Sequence, residues 1–273
     1  MSGSADQTID ISFPEGEHQL LLRIRVGGCR LRLRPGGGDR WVTGTYHDPT
    51  GALPCRVVPD GRRLEITQGL NLSGWAGSLG GVPTLDLMLG DARPFQLVLE
   101  GGASESTLDL GGVPLTDLEL RQGAGKYEID FSAPNPVMMD ELDIGGGAFR
   151  LEMRNLANAN FREMEVDGGA SAYRFDFGGN LVRDAQVKLS TGVSVVELSI
   201  PSSIAAKVRV ESTLGSIDLG DGFTKREGAF WNDAAVAGRT PVLTIRANVA
   251  LGMLRLRQSP HTQPLPAGDA AAP

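Results

Sequence analysis

The chain has 273 residues, 41% of them hydrophobic, and a formal net charge of −7. This acidic balance argues against a nucleic-acid partner, and no stretch approaches the roughly 18 apolar residues of a membrane span. The two cysteines are too few for the disulfide framework of a small secreted protein. Because the opening residues carry no secretion signal, we expect a cytoplasmic protein with no membrane span of its own.

The N-terminal part of the chain alternates apolar and polar residues without a regular repeat. We expect a disordered tail over residues 1–8 and an ordered body over residues 9–258. Within that body, residues 9–84 are predicted to form irregular coils that cap the end of a β structure with antiparallel strands. Cys29 falls on the apolar alternation, which predicts a buried thiol. The sequence leaves open whether Cys29 and Cys55 form a disulfide.

Residues 85–219 contain an internal repeat with a step of about 21 to 24 residues, a length typical of solenoids. Each unit alternates apolar and polar residues, which predicts half-buried strands, and carries a glycine pair that suits a corner. The prediction is an all-β, single elongated β-solenoid with two strands per coil. The aligned apolar triplets are Tyr127, Ile129, Phe131; Phe149, Leu151, Met153; Tyr173, Phe175, Phe177; and Ser194, Val196, Leu198.

An insertion over residues 220–241 interrupts the repeat and is rich in aromatic residues. Its rings, Phe223, Phe230 and Trp231, have two interpretations. They can cover the apolar end of the last coil, or they can form a partner-binding patch, since Trp and Phe are favoured anchors at interfaces. Residues 242–258 are predicted to form the final coil, and the Pro- and Ala-rich residues 259–273 a disordered tail.

Several segments resemble the bacterial toast-rack domain over about residues 17–258. They are the coil Leu118–Ile129 with its Gly-x-Gly corner, the Gly222-Phe223 and Trp231-Asn232 pairs, and the closing run Leu251–Leu256. Relatives include the C-terminal domains of LiaF-type and phage-shock-type envelope stress regulators. The resemblance implies a non-enzymatic module for protein interaction or scaffolding in cell-envelope stress signalling. It implies a protein partner and membrane association through that partner.

The sequence contains no recognisable catalytic, cofactor or metal motif, so we expect no enzyme, no cofactor and no bound metal. Five carboxylates in the strands raise two alternatives, a carbohydrate-active β-helix enzyme and a calcium site. Their positions opposite the apolar column are those of a solvated outer face. The five are Asp109, Asp130, Asp143, Asp176 and Asp218.

Arginines cluster in two stretches, which we expect to be the terminal coils. Outward charge at the ends of a solenoid discourages end-to-end stacking, although the first stretch could instead contact an anionic partner or a lipid surface. A self-assembling structural solenoid, whose ends would stack, is a further alternative against which these charges argue, and the sequence does not predict the oligomeric state. The clusters are Arg23, Arg25, Arg30, Arg32, Arg34 and Arg246, Arg255, Arg257.

Overall fold

The computed structural model describes residues 5–16, 19–69 and 81–259. The described chain is almost entirely β, and its strands join in one 16-stranded sheet. The first seven strands are short, with six to nine residues each. They are β1 (Ala5–Ser12), β2 (Leu20–Val26), β3 (Arg30–Gly38), β4 (Arg40–Asp48), β5 (Cys55–Asp60), β6 (Arg63–Gln68) and β7 (Thr84–Gly90).

Seven later strands are much longer, with 15 to 18 residues each, and the remaining elements are short. The seven long strands are β8 (Phe95–Asp109), β9 (Leu115–Asp130), β10 (Met139–Arg154), β11 (Phe161–Asp176), β12 (Ala185–Pro201), β13 (Ala205–Leu219) and β16 (Val242–Ser259). The two short strands are β14 (Phe223–Arg226) and β15 (Ala229–Asn232). The helices are a 3-10 helix (Leu156–Ala159) and α1 (Asp233–Val236).

The long strands stack in parallel in the order β8, β9, β10, β11, β12, β16, β13. From β8 to β12, in-register partners lie 21 to 24 residues apart in sequence, as Leu97 and Leu118 do, and Leu118 and Leu142. This spacing confirms the predicted repeat. Alternating side chains point inward, so that each coil buries its apolar face on its neighbours. The fold is the elongated β-solenoid that the sequence predicts.

Each coil is one continuous strand with a bend, where the sequence suggested two strands. In β9 the pairing with both neighbouring strands skips Gly123, which places the bend there, between a first limb (115–122) and a second limb (124–130). A Cβ atom at Gly123 would lie 2.7 Å from the carbonyl oxygen of Gly102 in β8. Close approach of neighbouring coils, more than positive φ, therefore requires glycine at this position. The same column continues through Gly147, Gly169 and Gly192.

The core consists of the inward columns of both limbs. Ile129, Met153, Phe175 and Leu198 are in-register partners in four successive strands, and each is 1% exposed or less. The predicted register is wrong by two residues at three steps, because Tyr127 pairs with Leu151 and not with Phe149. A slip of two residues leaves every side chain on the same face of the sheet. The predicted apolar positions are therefore buried although their partners differ.

At the N-terminal end, two pairs of short strands replace two bent coils. β2 pairs with the first limb of β8, and β3 pairs with its second limb. β6 and β7 lie on the far sides of β2 and β3. The antiparallel strands β5, β4 and β1 follow on β6 and β7. The β2–β3 coil is therefore internal, and the arginines that it carries are not in a terminal coil.

Three predicted boundaries need correction. β1 begins at Ala5, so residues 5–8 belong to the sheet and not to a loose tail. β16 extends to Ser259, and the predicted tail at 260–273 lies outside the described residues. β16 also lies between β12 and β13, so the last strand in sequence is not the last coil of the stack. The solenoid ends at β13.

Candidate interaction surface

The end of the stack at β13 is only partly covered. β16 pairs with β13 from Ala205 to Leu219, whereas on the other side β15 pairs with it at Lys207 and Val208. Both covered positions lie in the first limb of β13. The hairpin formed by β14 and β15 thus caps one limb of the last coil and leaves the other limb without this cover.

Two core positions are exposed where the cap is missing. Ile217 occupies the inward column of Val196 and Leu254, which are 0% and 1% exposed, but is itself 41% exposed. Leu219 continues the column of Leu198 and Leu256 and is 40% exposed. These side chains point where another coil would bury them. The apolar core is therefore left uncovered at the end of the second limb.

Exposed apolar side chains also line the adjacent bend. Val193, Leu251 and Leu214 are in-register neighbours on β12, β16 and β13, with 57%, 44% and 76% of their surface exposed. They point outward, because Ser194 and Val196 fill the inward positions of β12, and they form an apolar strip on the outer face beside the uncovered core. We call Leu214, Ile217, Leu219, Leu251 and Val193 together the open end.

The three aromatic residues singled out in the sequence lie on the hairpin beside the open end. Trp231 packs against Ala205, Ala234 and Ala235, and the Lys207 ammonium lies 4.1 Å from its ring centroid. Phe223 and Phe230 are half-buried against the main core. These contacts are those of a cap. The partner-binding role of Phe223, Phe230 and Trp231 stays a prediction.

Asn232 fastens this hairpin, and sequence reasoning did not identify that role. Its side chain is fully buried. The Oδ1 atom accepts hydrogen bonds from the backbone N–H groups of Ala206 (2.9 Å) and Ala235 (3.0 Å), and Nδ2 donates to the carbonyl of Ile204 (2.7 Å). The Ala235 bond also caps α1 at its N-terminus. An asparagine directly before the helix-favouring run Asp233-Ala234-Ala235 was the available sequence signal.

The five predicted carboxylates do not form one cluster. Asp143 pairs with Arg121 in the first limb, and Asp218 pairs with Arg257 at the end of the stack. Asp109 and Asp176 accept hydrogen bonds from the backbone N–H groups two residues later, at 2.9 and 3.2 Å, as turn-forming aspartates do. Asp130 accepts from the amide of Asn155 at 2.7 Å. Burial raises the pKa of Asp176.

Four of the five arginines of the β2–β3 coil, Arg23, Arg25, Arg30 and Arg34, have acidic partners. Arg25 lies 2.6 Å from Glu100 and 2.9 Å from Glu65. The pKa of Arg25 is raised, mainly by the hydrogen bond to Glu100. Further pairs join Arg23 to Glu100, Arg30 to Glu105 and Arg34 to Asp86. These pairs tie neighbouring coils together, which leaves little free positive charge on this coil for an anionic partner.

The described ranges 5–16, 19–69 and 81–259 contain neither a metal-binding cluster nor a membrane-spanning helix. These residues contain no group of three or more His, Cys, Asp or Glu side chains that could hold a metal ion. None of the helices there has the length and apolarity needed to cross a membrane. His47 contacts Asp6 at 2.5 Å, while His18 and His261 lie outside the described ranges.

More than half of the chain matches a known protein family. The family model described as the N-terminal domain of toast_rack matches residues 2–151, more than half of the chain. The chain belongs to the toast_rack N-terminal domain family. The matched part runs from the first strands into β10, so the open end lies beyond it.

Two solved structures align with most of this chain. One is a candidate cell adhesion protein from Clostridium sporogenes, at 16% identity and a TM-score of 0.50, covering 94% of this chain and 100% of that one. The other is a candidate adhesin from Bacteroides fragilis, at 9% identity and a TM-score of 0.41, covering 94% and 98%. The first likeness extends the shared fold past the family match. No curated protein matches this toast_rack chain.

Proposed function

We propose that this toast_rack chain is a non-enzymatic protein-interaction module and that its protein partner binds the open end. The observation that carries the proposal is the exposure of Ile217 and Leu219, which occupy core columns yet are 41% and 40% exposed. Contiguous exposed apolar surface on a soluble domain typically marks an interaction site. The names of the two similar structures, both of adhesion proteins, support an interaction role.

The open end provides enough apolar surface to anchor a partner. Full burial of a Leu or Ile side chain contributes about 1.5 to 3 kcal/mol. Scaled by their exposed fractions, Leu214, Ile217 and Leu219 together would contribute about 2 to 5 kcal/mol on burial. A few such residues supply most of the affinity of a typical interface. The setting that we propose is cell-envelope stress signalling, as the toast-rack resemblance implies.

The test is affinity purification of the tagged protein from its own host, with the membrane fraction retained, followed by mass spectrometry. We expect a specific protein to be recovered with the parent chain and lost with the double variant Leu214→Ser, Leu219→Ser. The matched control is Met138→Ser, Val182→Ser, because these side chains are 42% and 54% exposed but lie outside the open end. Equal recovery with both double variants would contradict the proposal.

The hairpin aromatics allow a second, narrower proposal, that Trp231 belongs to the same binding surface. Trp231→Ala should then reduce partner recovery beyond its effect on stability. Lys207→Met is a useful companion variant, since it removes the ammonium next to the Trp231 ring but leaves the ring in place. Unchanged partner recovery with folded Trp231→Ala would assign the ring to the cap alone.

The exposed core slice also favours one alternative, a self-assembling solenoid in which the open end binds another copy. Analytical ultracentrifugation over a wide concentration range separates the two proposals. A single monomeric mass supports binding of a different protein, whereas a concentration-dependent mass that the Leu214→Ser, Leu219→Ser variant abolishes supports self-assembly.

The cytoplasmic location is likewise a proposal, and fractionation of the host cells with a tagged chain tests it.

A further inference from the structure

Three cationic side chains lie side by side on the outer face of the first limbs. Lys188 on β12, Arg246 on β16 and Arg209 on β13 are direct in-register neighbours. Strands in a sheet are spaced about 4.8 Å apart, so the three residues span roughly 10 Å. Like charges directly opposite each other destabilise a sheet. Such an arrangement in a chain with net charge −7 needs a physical reason.

Acidic side chains compensate only one edge of this cationic column. The same column is acidic in the preceding coils, at Glu165, Asp143 and Glu119. Lys188 forms an ion pair with Glu163. Within the described part of the chain, Arg246 makes no ion pair with any acidic residue, and Arg209 donates only to the carbonyl of Glu227, at 3.3 Å. Positive charge therefore accumulates toward β16 and β13.

A hollow of about 200 Å³ lies over these residues. Besides the three cations, its lining includes Ser190 and Asn248, which supply hydroxyl and amide donors in the next column. Glu211 lines the β13 side of the hollow and provides the one carboxylate of the lining. An anion in the hollow would therefore lie over the column of the three cations, away from Glu211.

We propose that this hollow binds the phosphate groups of an anionic polymer. Guanidinium groups bind phosphate oxygens in a bidentate manner, a lysine ammonium adds a compact charge, and hydroxyl and amide groups complete the hydrogen bonds. A row of cations that spans two strand spacings matches a chain of phosphates better than a single ion. The bound anion would also relieve the repulsion between Lys188, Arg246 and Arg209. This site is separate from the open end and does not depend on it.

The experiment is isothermal titration calorimetry of the full chain with sodium tripolyphosphate at low salt, with orthophosphate as the comparison. We expect tripolyphosphate to bind at least ten-fold more tightly than orthophosphate, and its affinity to fall as salt is raised. Arg246→Gln should weaken tripolyphosphate binding at least ten-fold. Glu211→Gln should strengthen it about two- to five-fold, because it removes the opposing carboxylate.

Arg255→Gln is the matched control. Arg255 lies on the same strand as Arg246, and its replacement by glutamine removes the same charge, but its neighbours in register are Glu197 and Asp218. We expect this variant to bind within two-fold of the parent. Equal weakening by Arg246→Gln and Arg255→Gln would overturn the site, because it would indicate attraction to the whole surface. Absence of tripolyphosphate binding by the folded parent at millimolar concentration would overturn it as well.

Discussion

The prediction that best tests the fold is the replacement of Phe175 by alanine. Phe175 is 0% exposed, and its ring stacks on that of Tyr173 with centroids 5.7 Å apart. Its in-register neighbours, Met153 and Leu198, are also fully buried. The coil therefore encloses the ring from both sides and has little freedom to collapse into the cavity. Large-to-small changes of this kind cost about 3 to 5 kcal/mol.

This cost is a large part of the about 5 to 15 kcal/mol that stabilises a typical domain. Urea unfolding, followed by circular dichroism, should show a decrease of about 3 to 5 kcal/mol in the free energy of unfolding for Phe175→Ala. The control is Val193→Ala, since Val193 is 57% exposed, and the expected change is within about 0.5 kcal/mol. A loss below about 1 kcal/mol for Phe175→Ala would refute the enclosed column. Coincident unfolding transitions for the parent chain and Phe175→Ala would refute the enclosed column most directly.

Three further predictions follow from local geometry. Burial raises the pKa of the Cys29 thiol to about 12 and that of the Cys55 thiol to about 11. Alkylation of both cysteines, monitored by mass spectrometry, should therefore be slow at pH 8, and Cys55 should react faster than Cys29. The rate at each cysteine should rise about ten-fold for each unit of increase in pH, because only the thiolate reacts. Rapid alkylation of Cys29 at pH 8 would contradict this burial. Gly123→Ala should destabilise by about 1 to 3 kcal/mol in urea unfolding, because its Cβ atom would lie 2.7 Å from a backbone oxygen; an unchanged midpoint would contradict the close packing. Asn232→Ala should cost about 2 to 4 kcal/mol and shift tryptophan emission to longer wavelength, since three backbone groups lose their partner; unchanged emission would show that the hairpin does not depend on this residue.

The sequence contained the correct register, but in its glycines and not in its aromatic residues. The predicted alignment placed the ring of Tyr127 beside the ring of Phe149. This choice displaced the predicted strand partner of Tyr127 by two residues from the observed one. The glycines at 102, 123, 147, 169 and 192 repeat with the spacing that the strands adopt. Glycine is required there because neighbouring backbones approach closely, a constraint that no other residue meets. Aromatic residues tolerate more positions, since any inward site of suitable volume accepts them.

The open end and the place of β16 could not be read from hydrophobic alternation. Leu254 in β16 and Ile217 in β13 occupy equivalent inward positions, so either strand could follow β12 by that criterion. Exposure of Ile217 depends on which strand comes last and on how far the hairpin reaches along it. Both are tertiary properties. The predicted cap at 220–241 lies at the correct end of the solenoid, but it covers one limb only.

Charge, unlike hydrophobicity, does distinguish the two strand orders. In the second limb the observed order gives the column Arg174, Glu197, Arg255, Asp218, in which the sign alternates throughout. The order β12, β13, β16 would place Glu197 directly beside Asp218. Each such cross-strand pair contributes about 0.2 to 1 kcal/mol, which is enough to favour one order between otherwise equivalent coils. In the first limb, Lys188, Arg246 and Arg209 remain neighbours in either order. Reordering the strands therefore relieves one limb and leaves the cationic column intact, and a bound polyanion would provide the missing compensation.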